Sequence, residues 1–369
     1  MGCAMSTAIL CLICNSSCSI SKVVSRFAFF PPSPPTYSVE ESPEGVGRLV
    51  FANPEMQAAV DSVAHVAQLL QITVHTLLTS RKQRITLLHF KYPGVQTTLL
   101  WSHANAMDIG EMYFFLLQLA LNLRVNIAAY DYSGYGASTG RPSEAGIYSD
   151  IQAVYEHLVD SGVNAASDLV LYGQSVGSAA TLWLGSRVQV RGIVLHTPLT
   201  SGLRVLVPAA DGCCSIAGCC SPVCVYALCD PFPNMRRIKR VECPVLIIHG
   251  TSDTTIDCSH AMSLYHKCPA ECQRDPYIIR GATHDNIVEF DPERYFEKMR
   301  AFLSSLEDRD ARPLAAPNMS AAVQPRTTST AQPRTTSTTD ARPWRPRSPP
   351  HGPPPQAFDP VIKPVASRR

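Results

Sequence analysis

The segment Asp168-Leu169-Val170-Leu171-Tyr172-Gly173-Gln174-Ser175-Val176-Gly177 places a serine between two glycines, directly after an apolar run. The run is short and rich in aliphatic residues, which predicts a buried strand, and residues 176–187 have the pattern of a helix. A serine at such a sharp strand-to-helix turn needs glycine neighbours, because larger side chains would clash there. The spacing G-x-S-x-G in this setting predicts that Ser175 is a nucleophile.

The same spacing recurs at Gly136-Ala137-Ser138-Thr139-Gly140, but without the flanking elements. Ser138 lies in a stretch of glycine, serine and threonine that runs into Arg141-Pro142, and the next helical pattern begins only at about residue 144. Because no strand-to-helix turn is predicted there, we interpret Ser138 as a loop residue.

A serine hydroxyl is a poor nucleophile at neutral pH and needs a base, usually a histidine that a carboxylate orients. Where the nucleophile follows a strand of a parallel sheet in this way, the acid and then the histidine come later in the chain. Asp253 follows the predicted strand 244–249 and is the candidate acid. Asp257 is the competing candidate. It lies nearer the next helix, where a capping or charge–dipole role at the helix N-terminus explains it adequately. His284 follows the last predicted strand and is the candidate base.

An acyl-transfer site also needs two backbone N–H groups that stabilise the developing negative charge on the oxygen. One comes from the residue after the nucleophile, here Val176. The other comes from a loop after an early strand, and Leu99-Leu100-Trp101-Ser102-His103-Ala104-Asn105 ends in such a loop. Asn105 is the candidate for this second oxyanion donor.

Short apolar runs alternate with longer amphipathic stretches through the middle of the chain. The predicted strands are 84–90, 97–101, 125–131, 168–172, 192–196, 244–249 and 276–280, and the predicted helices are 111–122, 144–161, 176–187, 259–267 and 291–306. This alternation predicts an α/β fold with a mostly parallel central sheet and helices on both faces. Residues 202–240 do not fit it and are interpreted as a small Cys-rich cap insertion.

Length and composition limit the function classes. The chain has 369 residues, a net charge of +2 and 45% hydrophobic residues, which excludes wholesale disorder. The near-neutral charge argues against a nucleic-acid partner. No apolar run approaches the roughly 18 residues that a transmembrane helix needs. These observations favour a globular enzyme.

Three regions differ in composition. Residues 1–35 form a Cys-rich N-terminal segment, residues 45–307 hold the alternating pattern, and residues 308–369 are rich in Pro, Arg and Thr. The last region contains 13 of the 30 prolines and is predicted to be a disordered tail.

Several of these motifs occur together in one known family. The segments Asp131-Tyr132-Ser133-Gly134-Tyr135-Gly136, Gly173-Gln174-Ser175-Val176-Gly177, Pro198-Leu199-Thr200-Ser201-Gly202 and His249-Gly250-Thr251-Ser252-Asp253 stand in that order. The chain over about 97–306 therefore resembles the α/β-hydrolase domain-containing protein 17 family, and Pro31 to Ser38 resembles the Pro-Pro-x-Tyr segment that precedes the domain. The resemblance implies a membrane-anchored serine hydrolase that removes palmitate from proteins, with Ser175, Asp253 and His284 as its triad. Ala104 departs from the family, which has glycine there.

The first residues match a lipidation pattern. Met1-Gly2-Cys3-Ala4-Met5-Ser6 fits M-G-x-x-x-[ST], so Gly2 is a candidate for N-myristoylation. One myristoyl chain binds a membrane only marginally, and a palmitoylated Cys3 would provide the second anchor. Cys11, Cys14 and Cys18 are further candidates, and in the resembling family such an N-terminal cluster carries palmitate. The alternative is an unmodified N-terminus.

The second group of cysteines lies at 213–229. Its spacing is not that of common zinc sites and it contains no histidine, so we predict neither a metal nor another cofactor. Small buried side chains or additional acylation sites are the preferred interpretations.

These features together predict a palmitoyl-protein thioesterase on the cytoplasmic face of the plasma membrane or endosomes, with S-palmitoylated membrane proteins as substrates. Two alternatives stay open within catalysis, a serine peptidase and a lipid esterase, because fold and triad do not select the leaving group. A third is a catalytically silent membrane-anchored scaffold, which a distorted triad or a loop blocked at Ala104 would favour.

Overall fold

The computed structural model describes residues 28–41, 47–63, 69–160, 162, 164–206 and 230–310. Within these ranges there are ten strands, β1 (Tyr37–Glu41), β2 (Gly47–Phe51), β3 (Gln71–Leu78), β4 (Arg84–Lys91), β5 (Thr98–Ser102), β6 (Asn126–Tyr130), β7 (Leu169–Gln174), β8 (Gly192–His196), β9 (Val245–Gly250) and β10 (Tyr277–Ile279). The same ranges contain the helices α1 (Pro54–Ser62), α2 (Tyr113–Leu123), α3 (Glu144–Asp160), α4 (Gly177–Gly185), α5 (Gly202–Leu206), α6 (Asn234–Arg237), α7 (Ser259–Lys267), α8 (Ile287–Phe290) and α9 (Pro292–Asp310).

All ten strands belong to one sheet, in the order β1-β2-β3-β4-β6-β5-β7-β8-β9-β10. From β1 to β4 each strand pairs antiparallel with the next, and β4 also pairs antiparallel with β6. From β6 onward, through β5, β7, β8, β9 and β10, all neighbours pair in parallel. The carboxyl ends of the parallel strands therefore meet at one edge of the sheet. Loops at this edge are where open α/β sheets bind their ligands.

The core has two halves because successive side chains of a strand point to opposite faces of the sheet. On one face, residues such as Leu171 and Leu195 pack against α3, α4 and α7. On the other face, Tyr172 and Val194 pack against α2 and α9. The rings of Trp101 and Tyr172 stack across neighbouring strands with their centroids 3.8 Å apart, a contact worth about 1 kcal/mol beyond burial. The α/β class and the mostly parallel sheet with helices on both faces are confirmed.

The seven predicted strands correspond to β4–β10, each within two residues at both ends. The five predicted helices correspond to α2, α3, α4, α7 and α9, although α9 continues to Asp310. The prediction lacked β1, β2 and β3, the helix α1 and the short helices α5, α6 and α8. These strands lie at the antiparallel side of the sheet, and β3 has only Val74 fully buried, so its sequence lacks a continuous apolar run.

The three regions predicted from composition include residues that the structure does not describe. The sheet already begins with β1 at Tyr37, before the expected domain start at about 45, because β1 pairs with β2 through a register from Tyr37–Phe51 to Glu41–Gly47. Residues 1–27, the cysteine-rich part of the proposed cap (207–229) and the tail from 311 onward lie outside the described residues. No helix in the described ranges combines the length and apolarity needed to cross a membrane.

Helix α4 approaches the end of β5 closely at Gly177. A Cβ atom on Gly177 would overlap the carbonyl oxygen of Ser102 and come within 2.8 Å of that of His103. Both obstacles are backbone atoms, which cannot rotate away as a side chain can. The start of α4 can therefore reach this position only with glycine.

We expect Gly177→Ala to lower the free energy of unfolding by about 2 kcal/mol or more, since overpacking against backbone forces the helix and the strand apart. Chemical denaturation of the full chain measures this. Gly146→Ala is the matched control in α3, because its new Cβ would meet side chains and no backbone atom, with Ser143 Oγ nearest at 3.0 Å and Ser133 Cβ at 3.9 Å. The control should change stability by less than about 1 kcal/mol, and equal stability of the two variants would contradict the packing argument.

Candidate active site

Ser175 lies at the turn between β7 and α4, at the carboxyl edge of the parallel sheet. Its φ is +51°, a left-handed conformation that costs a non-glycine residue about 1–3 kcal/mol. The surrounding structure enforces this conformation. The Ser175 amide donates to the His196 carbonyl on β8 at 2.9 Å, and the Ser178 hydroxyl donates to the Ser175 carbonyl at 2.6 Å.

Three side chains predicted from the sequence form a continuous hydrogen-bonded chain. His284 Nε2 is 3.0 Å from Ser175 Oγ, and His284 Nδ1 is 2.7 Å from Asp253 Oδ2. They come from three separate loops, after β7, β9 and β10, which the parallel order brings together at one edge. With Nδ1–H donated to the carboxylate, Nε2 is free to accept the serine proton, so the arrangement can activate Ser175 for attack on an acyl carbon.

The carboxylate of Asp253 is fully buried and held by several donors. Its Oδ1 accepts the amides of Thr255 and Ile256 at 2.9 and 2.8 Å, and its Oδ2 contacts His284 and, at 3.2 Å, His249 Nε2. Burial by itself would raise the pKa of Asp253, but the hydrogen bonds from His249, His284 and Ile256 outweigh it and hold the pKa well below its ordinary value. Asp253 is therefore ionised at neutral pH.

His249 is a contact that the sequence analysis missed. We interpreted it only as the end of a buried strand, yet its Nε2 lies 2.8 Å from the Ile256 carbonyl as well as close to Asp253. A carbonyl and a carboxylate both accept, so Nε2 must carry the proton. The spacing of four residues between His249 and Asp253, with both at a strand end, was the available signal.

Two other histidines near the site remain neutral. Burial lowers the pKa of His196 to about 3, with a further contribution from His284, and its Nδ1 pairs with the Tyr172 hydroxyl at 2.7 Å. Burial likewise lowers the pKa of His103 to about 4. His284, whose side chain is 11% exposed, contacts the nucleophile directly.

The two candidate oxyanion donors lie in separate parts of the chain, one of them beside Ser175. Val176 follows it directly, and Asn105 belongs to the oxyanion loop, which we define as residues 103–109. The start of this loop touches Gly177, and the His103 carbonyl accepts a hydrogen bond from the Tyr132 hydroxyl at 2.7 Å. Ala104 is buried at 6% exposure, and the Ser175–His284–Asp253 chain is intact beside it. The donor role of the two amides stays a prediction.

The competing residues have structural contacts of their own. Ser138 Oγ accepts the Thr86 amide at 3.0 Å and donates to the Asp131 carbonyl at 3.1 Å, within a loop. Asp257 accepts the Ser259 amide at 2.9 Å at the start of α7. These contacts serve the local loop and helix structure, whereas Asp253 contacts His284 directly.

The other predicted sites cannot be placed in the same way. Gly2, Cys3, Cys11, Cys14, Cys18 and the cysteine group 213–229 lie outside the described residues. Four cysteines lie inside the described ranges and form no disulfide there: Cys243, Cys258, Cys268 and Cys272. In these ranges no three His, Cys, Asp or Glu side chains are grouped so as to hold a metal ion.

Solved structures show the same fold. An esterase of Pyrococcus furiosus superimposes with a TM-score of 0.52 at 16% identity, over 67% of this chain and 95% of that one. An α/β hydrolase of Vibrio vulnificus gives a TM-score of 0.51 at 17% identity, over 69% and 86% of the two chains. At these identities the likeness concerns the fold alone.

Sequence relatives are much closer, although no family model matches the chain. The chain is 37% identical over 287 residues to α/β hydrolase domain-containing protein aho-3 of Caenorhabditis elegans, covering 77% of this chain and 78% of that protein. It is 35% identical over 306 residues to protein 17C of Xenopus laevis, with 79% and 92% covered. For protein 17B of Homo sapiens the identity is 34% over 295 residues, with 80% and 94% covered. The chain therefore belongs to the α/β-hydrolase domain-containing protein 17 family.

Proposed function

We propose that this hydrolase is a serine palmitoyl-protein thioesterase, which cleaves palmitoyl groups from S-acylated cysteines of membrane-associated proteins. The observation that carries the proposal is the hydrogen-bonded chain from Ser175 through His284 to Asp253, with the serine in a turn where Gly177 packs against backbone. A strained serine with an oriented histidine is the arrangement that acyl transfer requires.

In the proposed reaction, Ser175 Oγ attacks the thioester carbonyl carbon while His284 Nε2 takes the hydroxyl proton. Asp253 keeps Nδ1–H in place and stabilises the imidazolium that forms. The amides of Val176 and Asn105 donate to the oxyanion. When the C–S bond breaks, His284 returns the proton to the departing thiolate. Water then attacks the acyl-serine ester with His284 as base. The bond between the acyl carbon and Ser175 Oγ breaks, His284 returns the proton to Oγ, and the fatty acid leaves.

The reaction needs no metal or organic cofactor, because the nucleophile, base and oxyanion donors all belong to the chain. The triad does not by itself distinguish a thioester from an oxyester or an amide. The preference for acyl-cysteine rests on the N-terminal sequence, where Gly2 and the neighbouring Cys3 would anchor the enzyme on the membrane that holds its substrates. We place the protein on the cytoplasmic face of that membrane.

Ser175→Ala should abolish hydrolysis of a long-chain acyl thioester, a loss of at least about 10³-fold in kcat, since the nucleophile and its base act as a unit. The purified full chain is assayed with a palmitoyl thioester, the matching oxyester, a glyceride and a peptide amide. Ser138→Ala is the control, because it removes a hydroxyl from the second G-x-S-x-G segment. Preference for the amide would favour the peptidase, and preference for a glyceride the lipid esterase; a folded wild type without turnover would favour the scaffold.

Replacement of the candidate anchor residues Gly2 and Cys3 should lower turnover at the membrane without changing hydrolysis in solution. Gly2→Ala combined with Cys3→Ser should lower turnover of a palmitoylated membrane protein in cells at least tenfold, because a shared membrane raises the effective substrate concentration. Hydrolysis of a soluble acyl thioester by the purified variant should stay within twofold of wild type. An equal loss in both assays would contradict the anchoring proposal.

The proposed role of Asp253 also predicts a pH dependence of stability. The folded-state pKa is depressed, so the carboxylate contributes stability above the unfolded value, about 3.9, and this contribution is lost as the pH falls toward the folded value. The difference in unfolding free energy between wild type and Asp253→Asn should therefore shrink between pH 5 and pH 3. Asp257→Asn, at an exposed carboxylate, should show a smaller change over this range. A pH-independent difference for Asp253→Asn would refute the assignment.

A further inference from the structure

A segment ahead of the sheet lies directly on the oxyanion loop. We call residues 29–37 the N-terminal strap. At its beginning, the Phe30 amide donates to Asn105 Oδ1 at 2.8 Å and to the Tyr135 hydroxyl at 3.1 Å. The Tyr135 hydroxyl itself donates to Asn105 Oδ1 at 2.7 Å. The strap thus contacts the residue whose backbone is the candidate oxyanion donor.

Asn105 Oδ1 receives a third hydrogen bond from the Ala106 amide, at 2.9 Å. Three donors around one oxygen fix the orientation of the amide side chain, because its NH₂ group could not accept them. Ala106 has φ +60°, a conformation unfavourable for alanine. The bonds from Phe30 and Tyr135 therefore help to hold the loop in a strained shape directly after the donor residue.

The end of the strap holds the other end of the loop. The Thr36 amide donates to Asp108 Oδ2 at 2.9 Å, and the Thr36 hydroxyl donates to Asp108 Oδ1. Tyr37 donates through its hydroxyl to Asp131, whose other oxygen accepts the Ile109 amide at 3.0 Å. Hydrogen bonds from the strap thus reach the side chains of Asn105 and Asp108, near the two ends of the loop.

The packing between strap and loop is close enough to transmit a displacement. A Cβ atom on Gly110 would come within 2.5 Å of Thr36 Oγ1 and 2.7 Å of the Tyr37 ring. At the beginning of the strap, Phe29 is buried and meets the Tyr135 ring edge-on, with the centroids 6.5 Å apart. Residues next to the loop, Gly110 and Tyr135, are therefore packed directly against the strap.

We infer that the N-terminal strap positions the oxyanion loop for catalysis, with Thr36 and Tyr135 as positioning residues. The inference rests on the proposed function, in which the Asn105 amide stabilises the oxyanion. Oxyanion stabilisation depends on a donor fixed at the place where charge develops, and small displacements of a reacting or stabilising group are costly. The triad hydrogen bonds involve other loops, so loss of strap contacts should slow the chemical step without dismantling the triad.

The test compares Tyr135→Phe and Thr36→Val with wild type in the full chain. Both substitutions keep the shape of the side chain and remove a hydroxyl that donates to the loop. Removal of an oxyanion donor lowers kcat by about 10²–10³-fold; for a displaced donor we expect about tenfold for Tyr135→Phe and at least threefold for Thr36→Val, with KM within twofold. Tyr113→Phe is the control, because it removes the hydroxyl of a buried tyrosine at the start of α2, where the ring packs against Phe51 and Phe90.

A second measurement distinguishes positioning from a general loss of structure. A long-chain trifluoromethyl ketone forms a tetrahedral adduct with the serine and uses the oxyanion donors, whereas the fatty acid product needs only the acyl site. Inhibition by the ketone should weaken by the same factor as kcat/KM, and product inhibition should not change. The inference would be overturned if inhibition by the ketone and inhibition by the product weakened in parallel. It would also be overturned if kcat of Tyr135→Phe and of Thr36→Val lay within twofold of kcat of Tyr113→Phe. If wild type hydrolyses no acyl ester or thioester, the proposed function fails, and the inference fails with it.

Discussion

The close approach of helix α4 to the end of strand β5 is the constraint on which the site depends. There is no room for a side chain on Gly177 beside the carbonyl oxygens of Ser102 and His103. This contact sets the start of the helix, and the turn before it must then adopt the φ of +51° seen at Ser175. The hydrogen bond from the Ser175 amide to the His196 carbonyl fastens the same turn to the neighbouring strand. This packing contact thus orients Ser175 and fixes the start of the oxyanion loop at His103.

The charges around the nucleophile follow from burial combined with a specific set of donors. Asp253 is buried without losing its charge because two amides and two histidines donate to it. Burial keeps His196 and His103 neutral. The nearest carboxylate oxygen to His103, that of Asp131, is 3.5 Å from Nε2, against 2.7 Å between Asp253 and His284. As a result, the negative charge is concentrated on the side of His284 away from Ser175, where it orients the ring and favours proton uptake from the serine.

Much of this arrangement could be predicted from local sequence patterns. Central parallel strands such as 192–196 are buried on both faces and therefore read as continuous apolar runs. Ser175 was distinguishable from Ser138 because only Ser175 had a strand before it and a helix after it. The antiparallel strands β1 to β3 were missed for the opposite reason. Their side chains are partly exposed, and their pairing partners supply most of the information that makes them strands.

The sequence by itself determined the fold class and the order of the candidate nucleophile, acid and base, because strand burial and turn chemistry are encoded within a few neighbouring residues. Only the tertiary structure decided that His249 supports Asp253 and that the strap lies on the oxyanion loop. The contact between Phe30 and Asn105 spans 75 positions of the chain, and that between Tyr37 and Asp131 spans 94. Hydrogen bonds over such separations depend on how the elements are arranged in space, and no local pattern records that arrangement.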